Sequence, residues 1–108
     1  MKVFLSLPMH GLTREAILDE IAKMELTVEK LYDVEDIEFI MNHNCIPRKG
    51  VKHPRPYCLA SAIEKIADCD LVVFHPDYRQ ANGCMIEYEV CHRYHINAYV
   101  LSEEEMLS

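Results

Sequence analysis

The sequence predicts an α/β domain: a parallel sheet of four to five strands, covered on both faces and ordered 2-1-3-4. Three observations carry that prediction. Apolar strand-like runs alternate with helix-like periods along the whole chain. Two of the runs, Lys2-Val3-Phe4-Leu5-Ser6-Leu7 and Leu71-Val72-Val73-Phe74, are nearly continuous rather than alternating, as strands covered on both faces are. The 108 residues are 50% hydrophobic and 27% charged, enough for one packed core and too few for two, so residues 1–108 read as a single domain.

The elements follow in order. Residues 2–7 form the first strand, and Pro8 and Gly11 break it. Thr13 suits the N-cap of a helix over 14–31, where Ile17, Ile21, Met24, Val28 and Leu31 recur at helical spacing and Glu15, Asp19, Lys23 and Lys30 face water. Asp33 to Asp36 is a polar break before a second strand at 37–41. Residues 42–57 hold three prolines and one glycine with no sustained period, and read as a long loop. A second helix fits 57–69, with Leu59, Ile63 and Ile66 inward. The third strand is 71–74, a polar turn spans 76–82, and a third helix covers 84–95. Residues 98–101 form the last strand, and Ser102 with Glu105 resembles a capping box for a short C-terminal turn.

Right-handed crossovers put strand 1 beside strand 3. The topological switch point, where strand order reverses, then lies between their C-terminal ends, which is where ligands bind in open α/β sheets. Geometry alone nominates the loops 8–13 and 75–83 as the site.

Composition narrows the function classes. The net charge of −7 argues against coating duplex nucleic acid, whose phosphates call for the opposite sign. No apolar run is long enough to span a bilayer, and Met1 to Leu7 lack the form of a signal peptide, so no membrane partner is expected. Five cysteines in a chain with enough core to fold unaided read as reduced thiols of a cytoplasmic protein. Cys69, Cys84 and Cys91 suit core packing. His43, Cys45, His53 and Cys58 match no compact metal-ligand spacing, so no metal is expected, and nothing calls for a cofactor.

Glu87 lies one turn into the third helix, near the C-terminal edge of the sheet. It faces either the crevice or solvent. A carboxylate beside a sugar C1′ can serve as a nucleophile in glycosidic exchange. Residues 42–57 carry Arg48, Lys49, Lys52 and Arg55 and no acid. They read either as a solubilising surface loop or as a lid that brings positive charge to a phosphorylated ligand.

Three segments together resemble the nucleoside 2-deoxyribosyltransferase-like superfamily and are similar to its short members from bacteria and phages. Ser6-Leu7-Pro8-Met9-His10-Gly11 is similar to a Pro-Met-x-Gly loop. Asp68 to Phe74 resembles the family's aspartate-ended helix and apolar third strand. Tyr78 to Glu87 resembles its Gly-x-x-x-Glu element, with tyrosine in place of tryptophan. The likeness spans residues 2–101. It implies a flavodoxin-like three-layer domain that cleaves or exchanges the bond between deoxyribose and a base, with Glu87 as the nucleophile. It further implies that Ser6, Pro8, Met9, His10 and Gly11 hold the sugar or phosphate, that His75, Asp77, Tyr78, Asn82 and Gly83 shape the base pocket, and that copies assemble as a homo-oligomer. Family enzymes often carry aspartates where this chain has Ala62 and Ala81. Three readings follow: a glycosidic-bond enzyme acting on a nucleoside or nucleotide; a silent nucleotide-binding module, for instance a phage protein that sequesters a nucleotide immune signal; and a scaffold with a vestigial pocket.

Overall fold

The computed structural model describes residues 1–34 and 36–107. It contains β1 (Lys2–Ser6), α1 (Arg14–Tyr32), β2 (Glu38–Ile40), α2 (Pro54–Ile66), β3 (Leu71–Phe74), α3 (Asn82–Arg93), β4 (Ala98–Val100) and α4 (Glu103–Leu107), with a 3₁₀ turn at Tyr78–Gln80. The four strands form one parallel sheet in the order β2-β1-β3-β4. Helices cover both faces, which is the flavodoxin-like α/β arrangement.

β1 and β3 are central, so each residue must enter one of two cores. Val3, Leu5, Leu7, Leu71 and Val73 pack with Ile21, Met24 and Val28 of α1 and with Leu101. Phe4, Val72 and Phe74 pack on the opposite face with Ala62 and Ile66 of α2 and with Cys84 and Cys91 of α3. This explains the unbroken apolar runs: a strand with both faces covered has no solvent face to fill with polar residues. The edge strands β2 and β4 are partly exposed and short.

Local signals set the ends of the elements. The Ala16 N–H donates to the Thr13 hydroxyl at 3.1 Å, satisfying one of the free donors at the start of α1. α1 stops at Asp33, which takes a left-handed conformation and donates its N–H to the Glu29 carbonyl. Residue 35 of the polar break lies outside the described residues. Ser102 and Glu105 form the reciprocal capping box: Ser102 N–H donates to Glu105 at 2.8 Å, and Glu105 N–H donates to the Ser102 hydroxyl at 3.1 Å. Asp70 ties the start of β3 to that of β1, its carboxylate accepting the Lys2 N–H at 2.7 Å.

Two sequence expectations need correction. α2 begins at Pro54, not at 57, because proline fits the first turn of a helix, where no backbone N–H is needed. The irregular connection therefore covers only 41–53, and Arg55 stands on a helix. Second, the cysteines are not all reduced. Cys45 and Cys58 form a disulfide with a Cα–Cα distance of 5.9 Å, and Cys69, Cys84 and Cys91 are free. The connection folds back over the first turns of α2 and brings residues 13 apart in sequence into bonding range. Among the described residues, no helix is long and apolar enough to cross a membrane.

The two-sided core makes a specific stability prediction. Phe74 is fully buried and its ring touches Tyr78 and Tyr88. Phe74→Ala should cost about 3–5 kcal/mol in urea unfolding. Leu107→Ala, at 87% exposure, should stay within about 0.5 kcal/mol.

Candidate functional site

A cavity of about 650 Å³ opens at the C-terminal ends of β1 and β3, on the face that α2 and α3 cover. Its size falls within the range of small-molecule sites. One wall is the end of β1 with Ser6, Leu7, Met9 and His10. The second is α2, through Arg55, Pro56, Cys58, Leu59 and Ala62. The third is the start of α3, from Gln80 to Glu87.

Glu87 lines this cavity while keeping only 8% of its surface exposed. Strand alternation explains its partner. Phe4 points into the α2–α3 core, so Ser6, two residues on, points the same way. Its hydroxyl donates to Glu87 Oε1 at 2.6 Å, joining residues 81 apart in sequence. Burial pushes the Glu87 carboxyl above the ordinary glutamate range, and the Ser6 hydrogen bond partly opposes that rise. Beside it, burial pushes the Cys84 thiol up to about 11, so Cys84 stays protonated and packs as a small apolar group.

The cavity rim is cationic. Arg55 in the first turn of α2 donates to His10 Nδ1 at 2.9 Å. A guanidinium can only donate, so His10 Nδ1 is the acceptor in this bond. Asn42 reaches the same cavity from the end of β2. Its amide nitrogen donates to the Cys58 carbonyl at 2.8 Å, and its oxygen accepts from Lys65 Nζ at 2.7 Å. Among the described residues, Glu87 is the one carboxylate in the lining.

The structure thus brings together Glu87, Ser6, Met9, His10, Asn82, Gly83 and Arg55 of the residues singled out from sequence. The others lie elsewhere. His75 follows Phe74 on β3, so alternation sends it to the α1 side, where its Nδ1 accepts the Asp77 N–H at 3.0 Å and its Nε2 donates to Glu20 at 2.9 Å. That hydrogen bond holds the Glu20 carboxyl below its ordinary value, against the effect of partial burial. Asp77 stays on the His75 side, with its carboxylate 4.0 Å from Nδ1. Tyr78 is swung by the 3₁₀ turn into the core, its ring centroid 5.5 Å from Phe74 and 5.1 Å from Tyr88. Pro8 and Gly11 lie outside the lining; Gly11 has a φ of 80°, which a turn leading to α1 can use at no steric cost. Arg48 lies 5.9 Å over the Tyr57 ring, and Lys49 and Lys52 are exposed without reaching the cavity. Sequence reasoning missed Asn42, Cys58 and Leu59. The one available signal was the Pro-Arg-Pro segment as a helix start, which would have placed 55, 58, 59 and 62 on one helical face.

Comparison with known proteins shows the fold. No family model and no curated protein matches the chain. A solved structure described as the "Crystal structure of conserved protein from Enterococcus faecalis V583" matches with a TM-score of 0.66 and 16% identity. The match covers 92% of this chain and 61% of that one, so the chain spans under two thirds of its neighbour's length. At that identity, the likeness establishes a shared α/β architecture.

Proposed function

We propose that the cavity binds a nucleoside or nucleotide and that Glu87 attacks its anomeric carbon. The observation that carries this reading is a buried carboxylate held by the Ser6 hydroxyl at one wall of a ligand-sized cavity. Oε1 is occupied by Ser6, which leaves Oε2 for C1′. In the first step Oε2 bonds to C1′, and the C1′–N bond breaks with its electron pair leaving on the base. In the second, water or another base attacks C1′ and releases the carboxylate, giving hydrolysis or exchange. Burial strips water from the nucleophile, and the Ser6 bond keeps it oriented. Arg55 and His10 at the rim suit a phosphate on the sugar. The reading goes with a cytoplasmic location and with assembly of copies as a homo-oligomer.

One observation favours a second reading. Ala62 and Ala81 line the cavity at the positions where the resemblance called for aspartates, so the departing base has no second carboxyl to protonate it. A module that holds a nucleotide without processing it, such as a phage protein sequestering an immune signal, fits that lining.

Incubation with deoxynucleosides and deoxynucleotides, followed by chromatography of free base, separates the two. The enzyme releases or swaps base, and Glu87→Ala lowers the rate by at least about a thousandfold. A binder releases none, and its affinity survives Glu87→Gln. In either case Arg55→Ala should weaken a nucleotide about tenfold and spare the nucleoside. Lys52→Ala, outside the cavity, should change neither.

The raised Glu87 pKa gives two pH predictions. For the enzyme, the acidic limb of kcat/KM should lie above the ordinary carboxylate range, and Ser6→Ala should move it higher, since the hydroxyl bond holds the carboxyl down. For stability, an acid whose pKa rises on folding binds more protons folded than unfolded. The native state therefore loses stability as pH climbs through the raised value. Glu87→Gln should have a higher Tm than the natural protein near neutral pH, with the difference shrinking as pH falls to the ordinary glutamate range. A Tm difference that does not change with pH contradicts the burial argument.

A further inference from the structure

The disulfide between Cys45 and Cys58 joins the 41–53 connection to α2 beyond the hydrogen bonds that hold its start. Cys58 belongs to the wall of the cavity, in the second turn of α2. Cys45 belongs to the 41–53 connection, which carries Arg48, Lys49 and Lys52. The backbone hydrogen bonds of that connection are local turns, Cys45 N–H to the Asn42 carbonyl at 3.2 Å and Val51 N–H to the Arg48 carbonyl at 3.3 Å. Its other anchors cluster at its start, where Met41 packs on the core and Met41 and Asn42 bond to Cys58, Ser61 and Lys65 of α2, with the Arg48 guanidinium over Tyr57 further along. Ile46, the neighbour of Cys45, is 86% exposed, so its side chain adds no packing beside the disulfide. Both bonded cysteines are half-buried, within reach of a small thiol.

We propose that Cys45 and Cys58 form a redox latch: the closed disulfide pins the basic segment against α2, and reduction frees the segment without unfolding the sheet. The reaction is thiol–disulfide exchange. A thiolate of a small thiol reductant such as glutathione attacks one sulfur, the Cys45–Cys58 bond breaks, and a mixed disulfide forms. A second reductant thiol attacks that mixed disulfide, leaving two protein thiols and one molecule of oxidised reductant. Two electrons and two protons pass to the protein. Closure runs the same steps backward with a small disulfide as oxidant.

The remaining thiols do not compete. Cys84 and Cys91 are buried and pushed up to about 11, and burial raises Cys69 as well, so none is a ready thiolate. The separation from the sheet follows from the packing: neither Cys45 nor Cys58 belongs to either buried core cluster. Arg55 and Cys58 share the first two turns of α2, so the latch borders the cationic rim.

Limited trypsin digestion in excess reduced or oxidised glutathione tests this without any ligand. Alkylation under native conditions and intact mass should count two more added groups in the reduced sample than in the oxidised one. Cleavage after Arg48, Lys49 and Lys52 should speed up on the order of tenfold on reduction, because proteolysis follows the open population of a segment. Cleavage after Lys23, Lys30 and Arg93 should not change. A double variant Cys45→Ser with Cys58→Ser should be cut at the fast rate in both conditions, with its circular dichroism unchanged. Three results overturn the latch. A pair that stays closed in excess reduced glutathione is a permanent staple. Equal cleavage rates in the two conditions leave the segment unlatched. Cuts that accelerate throughout the chain make the bond a requirement for the whole fold; the wild-type reduction experiment detects this even if the double variant fails to fold. Base release and nucleotide affinity play no part in these measurements, so the nucleoside reading and the latch stand or fall separately.

Discussion

With helices on both faces, β1 from Val3 onward and β3 have no solvent side, and every side chain they carry there must face one core or the other. That constraint decides where the chemistry lies. Phe4 and Phe74 commit their strands to a phase: even positions meet α2 and α3, odd positions meet α1. Ser6 therefore reaches Glu87 on α3, and His75 reaches Glu20 on α1. A shift of one residue in either strand would exchange these partners and place apolar side chains at the cavity.

The Ser6–Glu87 pair is a local concession of stability. A carboxyl taken out of water loses hydration, and one hydroxyl restores only part of it. An apolar residue at 87 would pack with Cys84 and Cys91 at no such cost. A buried acid bordering a cavity, hydrogen-bonded to a hydroxyl rather than to a cation and with no second acid in the described lining, has no evident structural purpose. This is the physical reason for assigning Glu87 a role toward a ligand. His75 is the instructive contrast. It is also a polar group at a strand end, but both ring nitrogens have partners and it lies outside the lining of the Glu87 cavity, so it serves to tie the β3 turn to α1.

Much of this architecture was legible from residue patterns. The unbroken apolar runs of β1 and β3 encode two covered faces, and Thr13, Ser102 and Glu105 announce helix ends through side-chain chemistry confined to a few neighbouring residues. The site was only partly legible, because it depends on which loops meet. His75 and Tyr78 sit in the right loop yet leave the cavity, His75 by strand phase and Tyr78 by the 3₁₀ turn that seats its ring against Phe74. Reading three prolines as a loop concealed the first turn of α2, and with it the position of Arg55. The Cys45–Cys58 bond has no signature in spacing; it requires the connection to fold back on the helix, which only the tertiary structure specifies.

The polarity of the cavity also orients the ligand that the proposal calls for. Its negative group lies beside Ser6 on α3, and its positive group lies at the α2 entrance, between Arg55 and His10. A phosphate would be drawn to the entrance and repelled by an ionised Glu87, so a nucleotide bound as proposed would seat with its phosphate outward and its sugar toward the acid. Met9, Leu59, Ala62 and Ala81 of the walls offer apolar surface without competing charge. In such an arrangement one field gradient would both select the orientation and bring C1′ toward the carboxylate. The repulsion that remains weakens as Glu87 takes up a proton. A silent binder and an enzyme thus differ in what they ask of this group: the binder gains affinity for an anion by keeping Glu87 neutral, whereas the enzyme must ionise it and tolerate the repulsion.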